Sequence, residues 1–155
     1  MSFRAKGLSL SPFETLFALD DEALAARGIR RMVADAQPGF PCRVSLTDAE
    51  PGETLLLLAF EHHDAHSPYR ASGPIFVRER AAAPFDAVDV VPPVLRPRLL
   101  SLRAYDAQGL MVDAEIVEGC EVETVIERIF ARDEVSYLHV HNAKRGCFAC
   151  RVERA

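Results

Sequence analysis

The five histidines of the sequence fall into two groups, His62, His63 and His66, and His139 with His141. Imidazole titrates near neutral pH, so such groups suit general acid–base work or metal binding. In His139-Val140-His141 the spacing places both imidazoles on one side of an extended strand. Cys147 lies across an expected hairpin from His141, which makes His139, His141 and Cys147 a partial zinc set. Two observations oppose a metal. Strand alternation turns Cys150 to the other face, and one Cys-x-x-Cys supplies too few ligands for a structural zinc. The expectation is no metal ligand and no cofactor, with zinc as the alternative.

Cys147-Phe148-Ala149-Cys150 has the spacing of a redox dithiol. Reactive pairs of that kind usually sit at a helix N-terminus, whereas this pair falls on an expected strand, so buried structural thiols are expected. His139-Val140-His141 is also similar to part of the histidine-triad nucleotide hydrolase motif, but Ala143 stands where that motif has a further histidine, and the match fails. The arginines offer a third chemistry. Arg43, Arg70, Arg103 and Arg151 could form a forked site for a carboxylate or phosphate. The competing reading pairs each with a carboxylate such as Asp48, Glu61 or Asp64.

Composition narrows the classes. The 155 residues suit one domain, 1–155, with a core that needs no disulfides. The net charge of −5 argues against a nucleic-acid partner, and no stripe of basic and aromatic residues suggests one. No Gly-rich phosphate loop, nucleophile elbow or EF-hand spacing is present. Met1-Ser2-Phe3-Arg4-Ala5-Lys6 does not open a signal peptide, and the longest apolar run, Leu55 to Phe60, is too short for a bilayer. A cytoplasmic protein with no membrane partner is expected. The four cysteines then read as free thiols, ligands or redox groups. The oligomeric state is open.

Elements follow from periodicity. Ser11-Pro12-Phe13-Glu14 carries a capping serine, a first-turn proline and a capping-box glutamate, which predicts a short helix burying Phe13, Leu16 and Phe17. Asp20-Asp21-Glu22 opens a second helix that Gly28 stops. Arg30 to Ala34 reads as a strand or as a continuation of that helix. Cys42 to Leu46 is expected to extend, and Thr54 to Phe60 to be a central strand covered on both faces. Glu61 to Ser72 reads as a polar loop, Pro74 to Arg78 as a strand, and Ala81 to Pro97 as irregular. Strands at Leu99–Tyr105 and Leu110–Val117, an amphipathic helix through Val122, Val125, Ile126, Ile129 and Phe130, and a final hairpin of Val135–His141 with Cys147–Glu153 complete the chain. The fold class is α+β, a mainly antiparallel sheet with a few helices packed on one face.

Alternation then selects the site. Leu100, Leu102, Ala104, Leu138, Val140, Phe148 and Val152 form the helix-facing set. Arg103, Tyr105, Tyr137, His139, His141, Cys147 and Arg151 fall on the opposite face, unless a bulge shifts the parity. The plain reading of that face is the solvated side of an antiparallel sheet.

Four blocks carry a family resemblance. They are Pro38-Gly39-Phe40-Pro41-Cys42-Arg43; Glu61-His62-His63 with Ser67-Pro68-Tyr69-Arg70-Ala71-Ser72-Gly73-Pro74-Ile75-Phe76-Val77; Arg103-Ala104-Tyr105-Asp106; and His139-Val140-His141-Asn142-Ala143 with Gly146-Cys147-Phe148-Ala149-Cys150. Together these resemble the bacterial domain-of-unknown-function family numbered 1203 over nearly the whole chain. The resemblance implies a small single-domain bacterial protein and assigns no activity or site residue.

Two functions remain open. One is an enzyme or binding domain for an anionic small molecule, with Arg43, Tyr69, Arg70, Arg103 and Tyr105 holding the ligand and His62, His139 and His141 moving protons. The other is a non-catalytic protein-interaction module.

Overall fold

The computed structural model describes all residues from Met1 to Ala155. Strand β1 (Phe3–Lys6) is followed by a 3-10 turn at Leu16–Ala18, helix α1 (Asp21–Ala26), β2 (Arg30–Val33), β3 (Thr54–His63), β4 (Ala71–Arg78) and β5 (Asp86–Val88). Then come β6 (Leu99–Tyr105), β7 (Met111–Glu118), helix α2 (Val122–Phe130), β8 (Tyr137–Asn142) and β9 (Phe148–Arg154). The protein is mostly antiparallel sheet with few helices, and the strands form two sheets where one was expected. A six-stranded sheet runs β5-β1-β9-β8-β6-β7, and a three-stranded sheet runs β2-β3-β4.

The apolar stripe of α2 (Val122, Val125, Ile126, Ile129, Phe130) shares one core with Leu100, Leu102, Ala104, Leu138, Val140 and Val152 of the large sheet. Spacing of three and four residues on the helix meets spacing of two on the strands, so each element buries one face. A second core joins Phe13, Leu24, Leu56, Leu58, Ile75 and Val77 around the small sheet.

Several segments depart from the sequence reading. No helix forms at Ser11. Successive bonds of the 3-10 kind (Leu16 N–H to the Phe13 carbonyl, Leu19 N–H to Leu16) close turns instead. Asp20 then caps α1 by accepting the Ala23 N–H at 2.8 Å. Phe13 is still buried. The supposed irregular stretch contains β5, and β1, which no pattern announced, lies between β5 and β9.

Cys42 to Leu46 is not a strand. Its backbone is satisfied piecemeal, Arg43 N–H by the Phe76 carbonyl, and the Arg43 and Val44 carbonyls by Leu8 and Phe85 N–H groups. Leu46 adopts φ of 52°. The close pass of the N-terminal chain explains Gly7, where a Cβ would lie 2.0 Å from the Val44 carbonyl oxygen. This packing between three neighbours buries the Arg43 side chain.

The histidine loop also needs correction. β3 continues through Glu61 and His62 to His63, and β4 begins at Ala71. Pairing runs Glu61 with Ser72 and then His63 with Ala71, so His62 is the extra residue of a β-bulge. A bulge lets consecutive side chains escape strict alternation, and both His62 and His63 reach the large sheet.

Candidate functional site

Two groups of side chains stand out, and they meet at β8. The first is a cluster of imidazoles and phenols on the face of the large sheet opposite α2. Register sets it up: Tyr105 pairs with Tyr137 and Arg103 with His139 across β6 and β8. His63 from β3 lies 4.1 Å from Tyr105 and 5.0 Å from His139, ring centre to ring centre. His62 stacks on Phe148 at 5.1 Å and meets His141 edge-on at 5.2 Å.

This face is therefore not the solvated side of the sheet. His63, His139 and His141 are each no more than 2% exposed. Burial, then the neighbouring charges, drive His139 down to about 2. Burial likewise brings His141 down to about 4, against the opposing bond to Gly146. Both are neutral at physiological pH. His62 is lowered by burial and by His63 and Arg103, and burial raises Tyr105 and Tyr137.

The hydrogen bonds fix tautomers. The Tyr69 carbonyl can only accept, so the His63 Nδ1 donates to it at 2.7 Å, and Nε2 is left to accept the Tyr137 hydroxyl at 2.6 Å. His141 donates through Nδ1 to the Gly146 carbonyl at 2.9 Å. The His62 Nδ1, His139 Nδ1 and His141 Nε2 atoms are buried without partners. No group of three or more His, Cys, Asp or Glu side chains is placed to hold a metal ion.

The second group lines a cavity of about 460 Å³ beside this cluster. Its walls include Phe40, Pro41, Arg43, Arg98, Asn142, Lys144, Arg145 and Cys147. Arg43 is 2% exposed. Its Nε donates to the Phe148 carbonyl at 2.7 Å and a terminal nitrogen to the Pro41 carbonyl. No carboxylate pairs with Arg43, Lys144 or Arg145. Arg98 is neutralised by Asp48 at 2.7 Å. Burial pushes Arg43 below its ordinary value, and the adjacent Cys147 sulfur pushes it back up. A buried guanidinium without a counter-ion is costly, and an anion in the cavity would offset that cost.

The candidate residues are thus divided. His62, His139, His141, Tyr69, Tyr105 and the half-buried Arg103 belong to the aromatic cluster; none of them lines the cavity. Arg43 alone among them lines it. Arg70 forms an exposed ion pair with Glu61, and Arg151 pairs with Glu153 while lying 3.9 Å above the Tyr137 ring. Cys147 and Cys150 part company. Cys150 is buried in the helix-side core, where burial raises its thiol to about 12, so the pair is not a dithiol site. Phe148 was expected beside Val152 on the helix side. A register shift after Val140 turns it onto the histidine face, with His141 opposite Phe148 and Val140 opposite Cys150.

Asn142, Lys144 and Arg145 escaped the sequence reading. They sit in and beside the turn between β8 and β9, and the cue was there: two adjacent basic residues between the fourth block's two halves. Asn142 is 8% exposed and its Oδ1 has no partner.

The chain belongs to the family described as a protein of unknown function (DUF1203), whose model matches residues 39–154. No curated protein and no solved structure matches it. The matched span contains the whole aromatic cluster and every residue lining the cavity except Met32.

Proposed function

We propose that the protein binds a small anionic molecule in the cavity between the Gly39–Arg43 segment and the Asn142–Cys147 turn. One observation carries the reading: Arg43 is buried at the cavity wall with no carboxylate, while Lys144 and Arg145 at the rim are likewise unpaired. By contrast, the partly buried Arg78 and Arg98 nearby are each neutralised by a carboxylate, Glu53 and Asp48. A fork of guanidinium donors with flexible ammonium and guanidinium groups at the rim suits carboxylate or phosphate oxygens. The mixed apolar lining from Phe40, Pro41 and Phe76 fits a ligand with a carbon body. In this reading the imidazole–phenol cluster is the support that fixes β8 and β9, and the whole chain acts as one domain. Four unpaired cysteines fit a reducing compartment, and we place the protein in the bacterial cytoplasm.

Isothermal titration with inorganic phosphate and with succinate tests the reading. One site per chain is expected for at least one of them, weakened at least tenfold in a Lys144→Glu, Arg145→Glu variant whose changes lie on exposed side chains. Absence of binding by both anions, or equal binding by the variant, refutes it.

A further inference from the structure

We propose that Cys147 is a nucleophile that forms a covalent bond to an anionic electrophile seated in this cavity. The inference deepens the anion-binding reading and takes its substrate class from it.

Three independent placements converge on the sulfur. Cys147 is half-buried at the cavity wall, so a molecule inside it can reach the thiol. The buried Arg43 guanidinium lies beside it with no carboxylate to occupy its charge. The Asn142 amide donates to the Cys147 Sγ at 3.4 Å. A sulfur that opens on the cavity beside a cation able to hold an anion is placed to attack a molecule bound there. The second pointer to a ligand is Asn142 itself: its residue is more than nine-tenths buried, lines the cavity, and leaves Oδ1 without a partner.

The other thiols lack this setting. Cys42 and Cys150 are buried in apolar cores, and Cys150 lies on the far face of β9. Cys120 is exposed and lies outside the cavity, which makes it a reference within the same molecule.

The bond-forming step is a displacement. The Cys147 sulfur supplies an electron pair to an electrophilic carbon, the S–C bond forms, and the leaving group departs with the electrons of the bond it breaks. The thiol proton passes to water. The carboxylate or phosphate of the same molecule stays against Arg43, Lys144 and Arg145, which orients the carbon toward the sulfur.

Iodoacetate and iodoacetamide differ in one charge and alkylate thiols by this step with loss of iodide. The native full-length protein is treated with each at neutral pH, quenched over time and digested, and modification at Cys147 and Cys120 is read by peptide mass. The ratio of iodoacetate to iodoacetamide rates is expected to be at least tenfold higher at Cys147 than at Cys120. Phosphate should protect Cys147 and leave Cys120 unaffected. In the Lys144→Glu, Arg145→Glu variant the ratio at Cys147 should fall toward that of Cys120. If Cys147 reacts no faster than Cys120 with either reagent while calorimetry still shows anion binding, the nucleophile is refuted and the anion site stands. If Cys147 reacts rapidly but without preference for the carboxylate, the anionic substrate class is refuted, and the proposed function falls with it.

Discussion

Acidification from pH 7.5 to pH 5 should remove about 4 kcal/mol of folding stability, with His139 and His141 as the main source. Both imidazoles are buried and neutral in the fold, brought down to about 2 and about 4 by burial ahead of their charged neighbours. In the unfolded chain each titrates near its ordinary value of about 6.5. Below that value the unfolded state takes up protons that the folded state excludes. The stabilisation is therefore complete above about pH 6.5 and falls as the pH drops toward the folded values. At pH 5 an unfolded imidazole is almost fully protonated, which favours unfolding by about 2 kcal/mol per residue relative to high pH. Any folded value at or below about 4 gives the same loss at this pH, so the figure depends little on how deeply each ring is depressed. His62, also lowered, acts in the same direction.

The carboxylates do not imitate this. Glu53 and Glu153 are held below their ordinary value in the fold, and their stabilisation is lost only as the pH falls through the ordinary carboxylate range, about 4.3 and below. The interval between pH 6.5 and pH 5 thus isolates the histidines. Urea unfolding followed by far-ultraviolet circular dichroism at half-unit intervals gives stability against pH. Two excluded protons correspond to a slope of about 2.7 kcal/mol per pH unit near pH 5. His139→Phe keeps a ring of similar size, and the Nδ1 it removes has no partner to lose. It should reduce the slope by about one proton, roughly 1.4 kcal/mol per pH unit. A flat wild-type profile between pH 7.5 and pH 5, or an undiminished slope in His139→Phe, would falsify the buried neutral cluster.

Three further substitutions probe the frame around the site. The Glu53 carboxylate, 3% exposed, takes two bonds from Arg78 at 2.8 and 2.9 Å, so Glu53→Gln should cost about 3 kcal/mol in chemical denaturation, with unchanged stability as the opposing result. A Cβ on Gly119 would sit 1.9 Å from the Leu95 carbonyl oxygen; Gly119→Ala should lower Tm by more than any surface alanine substitution, through displaced backbone at the start of α2. Ile126 is 1% exposed in the helix-side core, and Ile126→Ala should cost about 2–5 kcal/mol in the same unfolding assay, while leaving anion binding intact under native conditions.

Much of the large sheet was legible because its strands obey simple alternation. Leu100, Leu102, Ala104, Leu138, Val140 and Val152 all enter the core that α2 covers, and Tyr105, Tyr137, His139 and His141 turn away from it together. What alternation could not say is what lies over that second face. Polar residues on one side of an antiparallel strand read as a wet surface. Here His63 at the end of β3 and Tyr69 in the loop that follows it come in from the smaller sheet's side and cover them. That arrival depends on the bulge at His62, and a bulge has no period to detect. The Arg43 segment was misread for a related reason: its residues have strand composition, but its backbone partners come from Leu8, Phe76 and Phe85, distant in sequence. Of the cavity, the sequence reading found Arg43 and, for another purpose, Cys147. It missed Asn142, Lys144 and Arg145 because a turn with two basic residues is ordinarily a solvated turn.

The same irregularities that defeated alternation also build the cavity. The β8–β9 register shifts between Val140 and His141, leaving Ala149 as the extra residue of β9, which turns Phe148 onto the histidine face under His62. At a bulge the ladder is interrupted, and there the Phe148 carbonyl accepts from Arg43. One local distortion therefore does two things: it supplies a ring to the cluster and an acceptor that fixes the buried guanidinium. Cys147, next along the chain, lies at the cavity wall, and Asn142 closes the turn through its N–H to the Cys147 carbonyl at 2.9 Å. His141 ties the turn to the cluster through the Gly146 carbonyl. Changes in the packing of the cluster should accordingly reach the anion site through β8 and β9, with no contact between His139 and the ligand. A His139→Ala variant that stays folded would then bind phosphate more weakly than wild type, whereas the ring-preserving His139→Phe would bind it equally well.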